Sequence, residues 1–334
     1  MLPIAIVEAS QVAEARRRAT VLAHGLGYDE TAAGRVAIVA TELATNMVKY
    51  GGPGEMLLGT YEDETGHGVQ ILALDRGAGM VSPAVAQQDG HSTGGSSGHG
   101  LGAVRRQSQV FDIASWPGLG TAVLARMASH EARRGEVDAR VPFHGAVARA
   151  LKDEPVSGDA HCVIRDRHRW TVLMADGLGH GPHAATAADA ALMLFRRHVG
   201  EAPGPILAAI HAGLGHTRGA AVSVCRLDPD AGLAVFCGIG NVAGAVVTGH
   251  KTTRTVSLPG TAGHVARTIR EFTYPFGPGS LFVMQSDGVA TGWSLDRYPG
   301  LGFAHPSLIA GVLYRDFGRP RDDATVLVCR APSA

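Results

Sequence analysis

The feature that most constrains the fold is the stretch 170–181, where an apolar run ends in an aspartate and a glycine-rich turn. Trp170 to Met174 predicts a buried strand, and Asp176 follows it in the sequence ADGLGHG. The alanine-rich segment from Ala184 to Phe195 then predicts a helix. A carboxylate at a strand end, beside glycines that let a backbone carbonyl approach closely, suits a hard divalent cation.

Three further aspartates occupy comparable positions where predicted strands begin or end, namely Asp159, Asp287 and Asp322. Buried carboxylates repel one another, so a converging set needs cations. Oxygen ligands favour Mg²⁺ or Mn²⁺ over Zn²⁺, and two such ions about 4 Å apart can activate a water for attack on phosphorus. Spacing alone leaves two alternatives open: independent turn aspartates, or a zinc site that uses His180 and His183.

Length and composition limit the remaining classes. The 334 residues suffice for about two domains of roughly 150 residues each, and 45% hydrophobic content with 18% charged content predicts buried cores. Lys+Arg 30 balances Asp+Glu 30, so charge gives no reason to expect a nucleic acid or a membrane surface as partner. Four cysteines without a C-x-x-C motif predict free thiols. Neither a signal peptide nor a membrane-spanning run is recognised, so we expect a cytoplasmic protein.

The first half of the chain carries a different pattern. Residues 31–50 predict an amphipathic helix, on which Glu42 and Asn46 share a face other than the apolar one. A later predicted strand ends in Asp75, and the glycine-rich segment 92–102 precedes another predicted helix. Glycines and a helix start favour phosphate, although a glycine-rich loop alone is weak support for a nucleotide site. Asn46 can offer an oxygen to Mg²⁺, and Asp75 can accept a hydrogen bond from a base amino group.

Four blocks in order resemble the ATP-binding fold shared by gyrase, Hsp90 and histidine kinases: ELATNMVKYGG, DRGAGM, GHGLGAV and GLGTAV. With DGHST before the glycine loop, residues 1–127 are most similar to the RsbT and RsbW type of anti-sigma-factor and switch kinases. This resemblance implies that Glu42 polarises the attacking group, that Asn46 holds Mg²⁺ and that Asp75 recognises adenine. The other implied ATP contacts are Gly77, Gly79, Gly98, Gly100, Gly102 and Thr121. Without the resemblance, Glu42 is equally well a solvated helix residue.

The second half resembles the metal-dependent serine/threonine protein phosphatases of the SpoIIE and RsbX branch over residues 140–331. The blocks that carry this resemblance are SGD, ADGLGHG, GIGNV, SDGV and RDDATVLV. It implies a PPM-type α-β-β-α sandwich in which Asp176 is catalytic. The implied metal ligands are Asp159, Asp176, the Gly177 carbonyl, Asp287 and Asp322.

Other residues of the second half have less definite roles. Asp323 is expected to support the site without binding metal, and the GIGNV block at 238–242 is expected mainly to form a tight turn. A phosphate contact is open among three arginines that are equally compatible with a solvated hairpin: Arg165, Arg167 and Arg169.

We therefore predict an α+β chain with a GHKL-type ATP-binding domain at 1–129, a linker at 130–139 and a PPM-type phosphatase domain at 140–334. The first domain is expected to have a mixed sheet with helices on one face. The predicted function is a bifunctional regulator that uses ATP and Mg²⁺ in the first domain and two Mn²⁺ or Mg²⁺ in the second. Its expected target is phosphoserine or phosphothreonine on a STAS-type anti-sigma antagonist. In the alternative, the first domain only binds ATP and a sigma factor or antagonist, without phosphotransfer.

Overall fold

The computed structural model describes residues 1–63, 66–83, 100–128, 143–166 and 169–332, and it divides into two compact units. The first unit comprises Met1–Pro142 together with Phe303–Arg315, and the second comprises Phe143–Gly302 together with Asp316–Ala334. Both units combine helices with sheets, which confirms the predicted α+β class. None of the helices in these ranges is both long enough and apolar enough to cross a membrane.

The first unit is built on one five-stranded sheet in the order β1-β2-β3-β5-β4. Its strands are β1 (Leu2–Ile6), β2 (Gly54–Asp63), β3 (Gly66–Asp75), β4 (Val110–Trp116) and β5 (Gly120–Ala128). Every described pairing is antiparallel, in place of the mixed sheet expected from the resemblance. For β2–β3 and β4–β5 the reason is local, because they are hairpins and a hairpin can only pair antiparallel, whereas β1–β2 and β3–β5 pair antiparallel across longer connections.

Three helices pack on one face of this sheet, where Ile71 and Ala73 lie, and a fourth, described below, packs on the opposite face against Leu72 and Leu74, so helices are not confined to the one face that was predicted. The first three are α1 (Ala9–Gly25), α2 (Glu30–Asn46) and α3 (Gly100–Gln107). The buried face of α2 includes Val36, Val39 and Leu43, at the helical spacing expected from the sequence. Asp29 begins α2 by accepting a hydrogen bond from the Ala32 N–H at 2.7 Å. A single π-helical turn, Met47–Gly51, extends α2 toward β2.

A helix from far downstream also belongs to the first unit. It is α6 (Pro306–Phe317), and most of it lies in the segment that groups with this unit. Arg126 of β5 donates to Ser307 Oγ at 2.9 Å across 181 residues of sequence, and the same buried guanidinium pairs with Asp63. A buried ion pair of this kind is sensitive to loss of either partner. Sequence periodicity predicts this helix but not where it packs.

The second unit contains two five-stranded antiparallel sheets, ordered β15-β10-β9-β8-β7 and β12-β11-β16-β17-β6. The first sheet consists of β7 (Asp159–Asp166), β8 (Arg169–Gly177), β9 (Ala220–Asp228), β10 (Leu233–Ile239) and β15 (Phe272–Pro275). The second consists of β6 (His144–Arg149), β11 (Ala243–Thr248), β12 (Lys251–Arg254), β16 (Leu281–Gln285) and β17 (Ala324–Arg330). Met174, Phe236, Phe282 and Leu327 belong to one buried apolar core to which both sheets contribute.

Two helices form an outer layer on the first of these sheets. They are α4 (Pro182–His198), which contains the predicted alanine-rich helix, and α5 (Pro203–Gly213). Ala188, Phe195 and Ile206 pack in a second apolar core with Leu173 and Val222 of the sheet. The remaining short elements are β13 (Gly260–Thr261), β14 (Val265–Ala266) and two 3₁₀ turns at Leu295–Arg297 and Leu301–Phe303. None of the four cysteines is in a disulfide bond.

Candidate functional site

Two pairs of neighbouring strands in the second unit carry the predicted acidic residues. In the first sheet, the β7–β8 hairpin places Asp159 directly opposite Asp176. In the second sheet, β16 and β17 are distant in sequence but pair antiparallel, so Asp287 after β16 and Asp322 before β17 lie at the same end of this pair. Like charges directly opposite each other on a sheet are destabilising, so this arrangement calls for a proton or a cation.

The ends of these two strand pairs meet, because the Gly158 N–H before Asp159 donates to Oδ2 of Asp323, the residue after Asp322, at 2.8 Å. Burial, together with the nearby carboxylates of Asp159, Asp287 and Asp322, raises the pKa of Asp176 to about 9. Burial, with smaller contributions from Asp323 and Asp287, raises the pKa of Asp159 to about 7. The pKa of Asp322 is also raised, first by burial and then by Asp287. The predicted residues therefore share one electrostatic environment, which spacing along the chain could not establish.

Asp159 has the least satisfied side chain of the group. It is 9% exposed, and both carboxylate oxygens are buried without a hydrogen-bond partner of normal geometry. The Ser286 and Thr325 hydroxyls lie close enough to lower the pKa of Asp159, but burial dominates. An unpaired buried carboxylate is costly, so this group fits a cation ligand.

The donor set is all oxygen, which suits Mg²⁺ or Mn²⁺ better than Zn²⁺. Among the residues that the structure describes, no three His, Cys, Asp or Glu side chains are arranged, as they stand, so that they could hold a metal ion. The carboxylates instead approach one another in pairs, with Asp287 hydrogen bonded to both Asp176 and Asp322. A divalent cation would replace the protons that these pairs share.

Asp323 supports the turn that precedes Asp159. Its side chain is buried and accepts hydrogen bonds from the backbone N–H groups of Leu151 at 2.7 Å and Gly158 at 2.8 Å. Both oxygens of Asp323 are thus engaged by the backbone. This leaves Asp322, its neighbour, as the residue of the RDDAT block whose carboxylate faces the other aspartates.

Asn241 is a site residue that the sequence did not reveal, since its block was assigned to a tight turn. Its Nδ2 donates to Asp287 Oδ2 at 2.5 Å. An amide directly after the buried strand β10 was the available signal.

Close packing also restricts Gly177, because a Cβ there would lie 2.1 Å from the Ala184 carbonyl oxygen of α4. The turn after Asp176 therefore depends on glycine for its contact with α4.

The candidate arginines lie away from this cluster. Arg165 and Arg169 are at the turn of the β7–β8 hairpin, some six or seven residues and thus roughly 20 Å along the strand from Asp159. Arg169 pairs with Asp228 at 2.7 Å, and the Arg165 guanidinium lies 5.4 Å from the Trp170 ring centroid. Arg167 lies outside the described residues.

The histidines of the zinc alternative do not join a metal-ligand set within the described chain. The Nδ1 atom of His180 lies 2.5 Å from Glu154 Oε1, on an exposed edge of the turn after β8. His183 is in the first turn of α4 and is exposed.

In the first unit, Glu42 and Asn46 lie side by side on α2 and face the start of α3. A Cβ on Gly100, the first residue of α3, would lie 3.1 Å from Glu42 Oε2 and 3.4 Å from Asn46 Nδ2. Both side chains are half-buried. Gly102 is buried within α3, whereas Gly98 lies outside the described residues.

Asp75 occupies the end of β3 and is 8% exposed. Its Oδ1 accepts hydrogen bonds from the N–H groups of Gly77 at 2.9 Å and Thr121 at 3.1 Å. Burial raises the pKa of Asp75, while these N–H groups and Arg315 lower it. Arg315 of α6 also donates to the backbone carbonyl of Asp75 at 2.8 Å, which fixes this peptide. The second oxygen, Oδ2, makes no hydrogen bond within the described residues, so it can accept one from a ligand.

Gly77 and Gly79 form the turn beside Asp75, and both are required sterically. A Cβ on Gly77 would lie 2.7 Å from the Gly51 carbonyl oxygen, and one on Gly79 would lie 1.9 Å from the Trp116 carbonyl oxygen. Gly79 also has a φ of +70°. The two glycines thus allow neighbouring backbone to close around Asp75.

Comparison with known proteins matches each half of the chain to a family. Residues 7–128 match the histidine kinase-like ATPase domain, and residues 166–332 match stage II sporulation protein E (SpoIIE). The chain is 32% identical over 114 residues to the serine/threonine-protein kinase RsbT of Bacillus subtilis (strain 168), a match that covers 34% of this chain and 86% of RsbT.

Two solved structures are similar to the chain. One reported for the bacterial stressosome, described as a modular system adapted to control secondary messenger signaling, is 28% identical with a TM-score of 0.53, covering 56% of this chain and 98% of that chain. The PP2C phosphatase domain of B. subtilis SpoIIE, with a fragment of its regulatory domain, has a TM-score of 0.50 at 16% identity and covers 83% of this chain and 82% of that chain, which shows a common fold. The chain therefore belongs to the SpoIIE family, with a PP2C-type phosphatase fold joined to an RsbT-like ATPase domain.

Proposed function

We propose that the chain is a bifunctional regulator, a metal-dependent protein serine/threonine phosphatase joined to an ATP-dependent protein serine/threonine kinase. Both activities act on the same class of cytoplasmic partner, a STAS-type anti-sigma antagonist or a related regulatory protein, and a sigma factor is a further candidate partner. The observation that carries the phosphatase assignment is the convergence of the aspartates around Asp159, whose buried oxygens make no hydrogen bond of normal geometry among the described residues.

In the second unit, two Mn²⁺ or Mg²⁺ ions would be held by Asp159, Asp176, the Gly177 carbonyl, Asp287 and Asp322. Such a pair of ions supplies an activated water and neutralises phosphoryl charge. Two further residues of the chain position these ligands. Asp323 fixes the backbone before Asp159, and Asn241 orients the Asp287 carboxylate. The likeness to SpoIIE supports this assignment.

In the first unit, ATP would bind with its adenine against Asp75 and with Mg²⁺ on Asn46. Gly77, Gly79, Gly98, Gly100, Gly102 and Thr121 would surround it. Glu42 lies beside Asn46 on α2 and faces Gly100 at the start of α3. It would accept the proton of the attacking serine or threonine hydroxyl. The likeness to RsbT supports a protein target for the phosphoryl group.

The experiment that tests both activities uses the full chain and a purified STAS-domain partner. Labelled ATP with Mg²⁺ is expected to label the partner, and addition of Mn²⁺ without ATP is expected to release that label as inorganic phosphate. Release that persists in excess EDTA would contradict the phosphatase assignment. Absence of label on every STAS partner tried would favour the alternative, in which the first domain binds ATP and its partner without phosphotransfer.

Asp75→Asn is expected to weaken ATP binding about 10–100-fold, the effect of losing one hydrogen bond to a charged group. Asparagine can keep the acceptor for the Gly77 and Thr121 N–H groups, but it places a donor where Oδ2 would accept from adenine. The measurement is the ATP dissociation constant by calorimetry. Glu14→Gln, which changes an acidic side chain paired with Arg18 on α1, should leave this constant unchanged. An unchanged constant in Asp75→Asn would remove Asp75 from the adenine site.

Metal binding is expected to release protons at pH 7. Burial and neighbouring carboxylates raise the pKa of Asp176 to about 9 and that of Asp159 to about 7, so the metal-free chain holds protons that the unfolded chain has lost. For such raised values, the stabilisation is complete below the unfolded pKa of about 3.9 and is lost as pH rises through the folded pKa values. The melting temperature of EDTA-treated protein should therefore fall as the pH is raised toward 9.

The release is measured by titrating Mn²⁺ calorimetrically in two buffers that differ in ionisation enthalpy. We expect about one proton or more per chain, displaced by the incoming metal. Identical enthalpies in the two buffers would contradict this account of the carboxylate cluster.

A further inference from the structure

Arg218 lies in the turn between α5 and β9, at the end of the first sheet where β8 also ends. The pairing of β8 with β9 places Gly177 opposite Ala220. The Leu178 N–H then donates to the Gly219 carbonyl oxygen at 3.0 Å. This hydrogen bond ties the residue after Arg218 to the glycine turn that follows Asp176.

The guanidinium group of Arg218 lies against this glycine turn. A Cβ on Gly179 would be 3.2 Å from Arg218 Nη1, which places the guanidinium beside this residue, and the φ of +90° at Gly179 favours glycine in the turn. The Arg218 side chain is exposed. Within the part of the chain that the structure describes, it forms no ion pair or side-chain hydrogen bond.

The backbone on both sides of Arg218 is fixed by hydrogen bonds. Thr217 Oγ1 donates to the Leu214 carbonyl oxygen at 2.8 Å and accepts from the Gly219 N–H at 3.0 Å. The carbonyl oxygen of Thr217 lies 3.1 Å from His264 Nε2. The backbone at Arg218 is therefore held in place. Its guanidinium group is exposed to solvent and makes no ion pair or hydrogen bond with the described residues.

We propose that Arg218 binds the phosphoryl oxygens of the phosphoserine or phosphothreonine substrate at the entrance to the aspartate cluster. This inference rests on the proposed phosphatase function. A guanidinium presents a rigid fork of N–H donors that matches phosphate, and it remains charged at all relevant pH values. The aspartates near this site repel a dianionic phosphoryl group. A guanidinium that is not already paired with a protein carboxylate can offset this repulsion and so favour substrate binding. Arg165 and Arg169 sit at the opposite end of the same hairpin, and Arg169 is paired with Asp228.

Arg218→Ala tests the proposal through substrate affinity. We expect KM for a phosphoserine peptide, and the dissociation constant of inorganic phosphate in the presence of Mn²⁺, each to rise about 10–100-fold. The Mn²⁺ dissociation constant should not change, because Arg218 supports the substrate and not the metal. Arg218→Lys should recover only part of the affinity, since an ammonium group cannot donate in the bidentate manner.

Arg169→Ala is the matched control, because it removes an arginine of the same sheet at the far end of the hairpin and should leave every constant unchanged. Wild-type KM and phosphate affinity in Arg218→Ala would overturn the proposal while leaving the phosphatase assignment intact. Loss of Mn²⁺ binding in that variant would also overturn it, by making Arg218 a support of the metal site. Phosphate binding is measured without turnover, so an inactive wild type that binds phosphate through Arg218 would contradict the proposed function and still support the anion site.

Discussion

Asp176→Asn is expected to lower metal-dependent hydrolysis of an aryl phosphate by at least about 10³-fold, since metal-ion catalysis contributes several kcal/mol. Asp176 lies opposite Asp159 on the neighbouring strand and interacts with both Asp287 and Asp322. Asparagine keeps the size of the side chain but removes the charge that a divalent cation needs. Steady-state phosphate release with Mn²⁺ measures the effect.

The same change should not damage the fold. Removing one of several mutually repelling carboxylates is expected to leave the melting temperature in EDTA equal to or above that of the wild type. Asp166→Asn is the matched control, because Asp166 is exposed at the other end of β7 and should retain full activity. Wild-type hydrolysis by Asp176→Asn would refute the metal assignment at this residue.

Glu42→Gln is expected to reduce phosphotransfer to a protein partner by about 10²–10⁴-fold, the usual contribution of a general base. Glutamine retains the shape of the side chain beside Asn46 and Gly100 but cannot accept the proton of a hydroxyl. ATP affinity should be nearly unchanged, because Glu42 is assigned to the attacking group and not to the nucleotide. Transfer of label from ATP and calorimetric ATP binding are measured side by side.

Glu30→Gln serves as the control for this variant. Its side chain is 94% exposed in the first turn of the same helix, so both transfer and ATP binding should match the wild type. Full transfer by Glu42→Gln would exclude Glu42 as the base. Unfolding of Glu42→Gln, or loss of its ATP affinity, would mean instead that Glu42 has a structural role.

The sequence predicts those parts of the site that local pattern encodes. Alternation and a turn predict the β7–β8 hairpin, and its register places Asp159 opposite Asp176. The spacing of four residues puts Glu42 and Asn46 on one face of α2, where the structure finds both beside Gly100. In each case one helix or one hairpin determines the geometry.

The parts that the sequence does not predict depend on contacts between distant segments. Ser307 meets Arg126 across 181 residues, and Asn241 reaches Asp287 across 46. Periodicity identifies the strand or helix that carries each of these residues, but only packing selects the partner. Arg218 was missed for the same reason, since its nearness to Gly179 follows from the pairing of β8 with β9.

The most direct test of the central claim is an anomalous-scattering experiment on crystals of the full chain grown with Mn²⁺. We expect two anomalous peaks about 4 Å apart, with carboxylate oxygens of Asp159, Asp176, Asp287 and Asp322 about 2.1 Å from one or both ions. Anomalous density located elsewhere, with no peak among these four aspartates, would contradict a two-metal phosphatase.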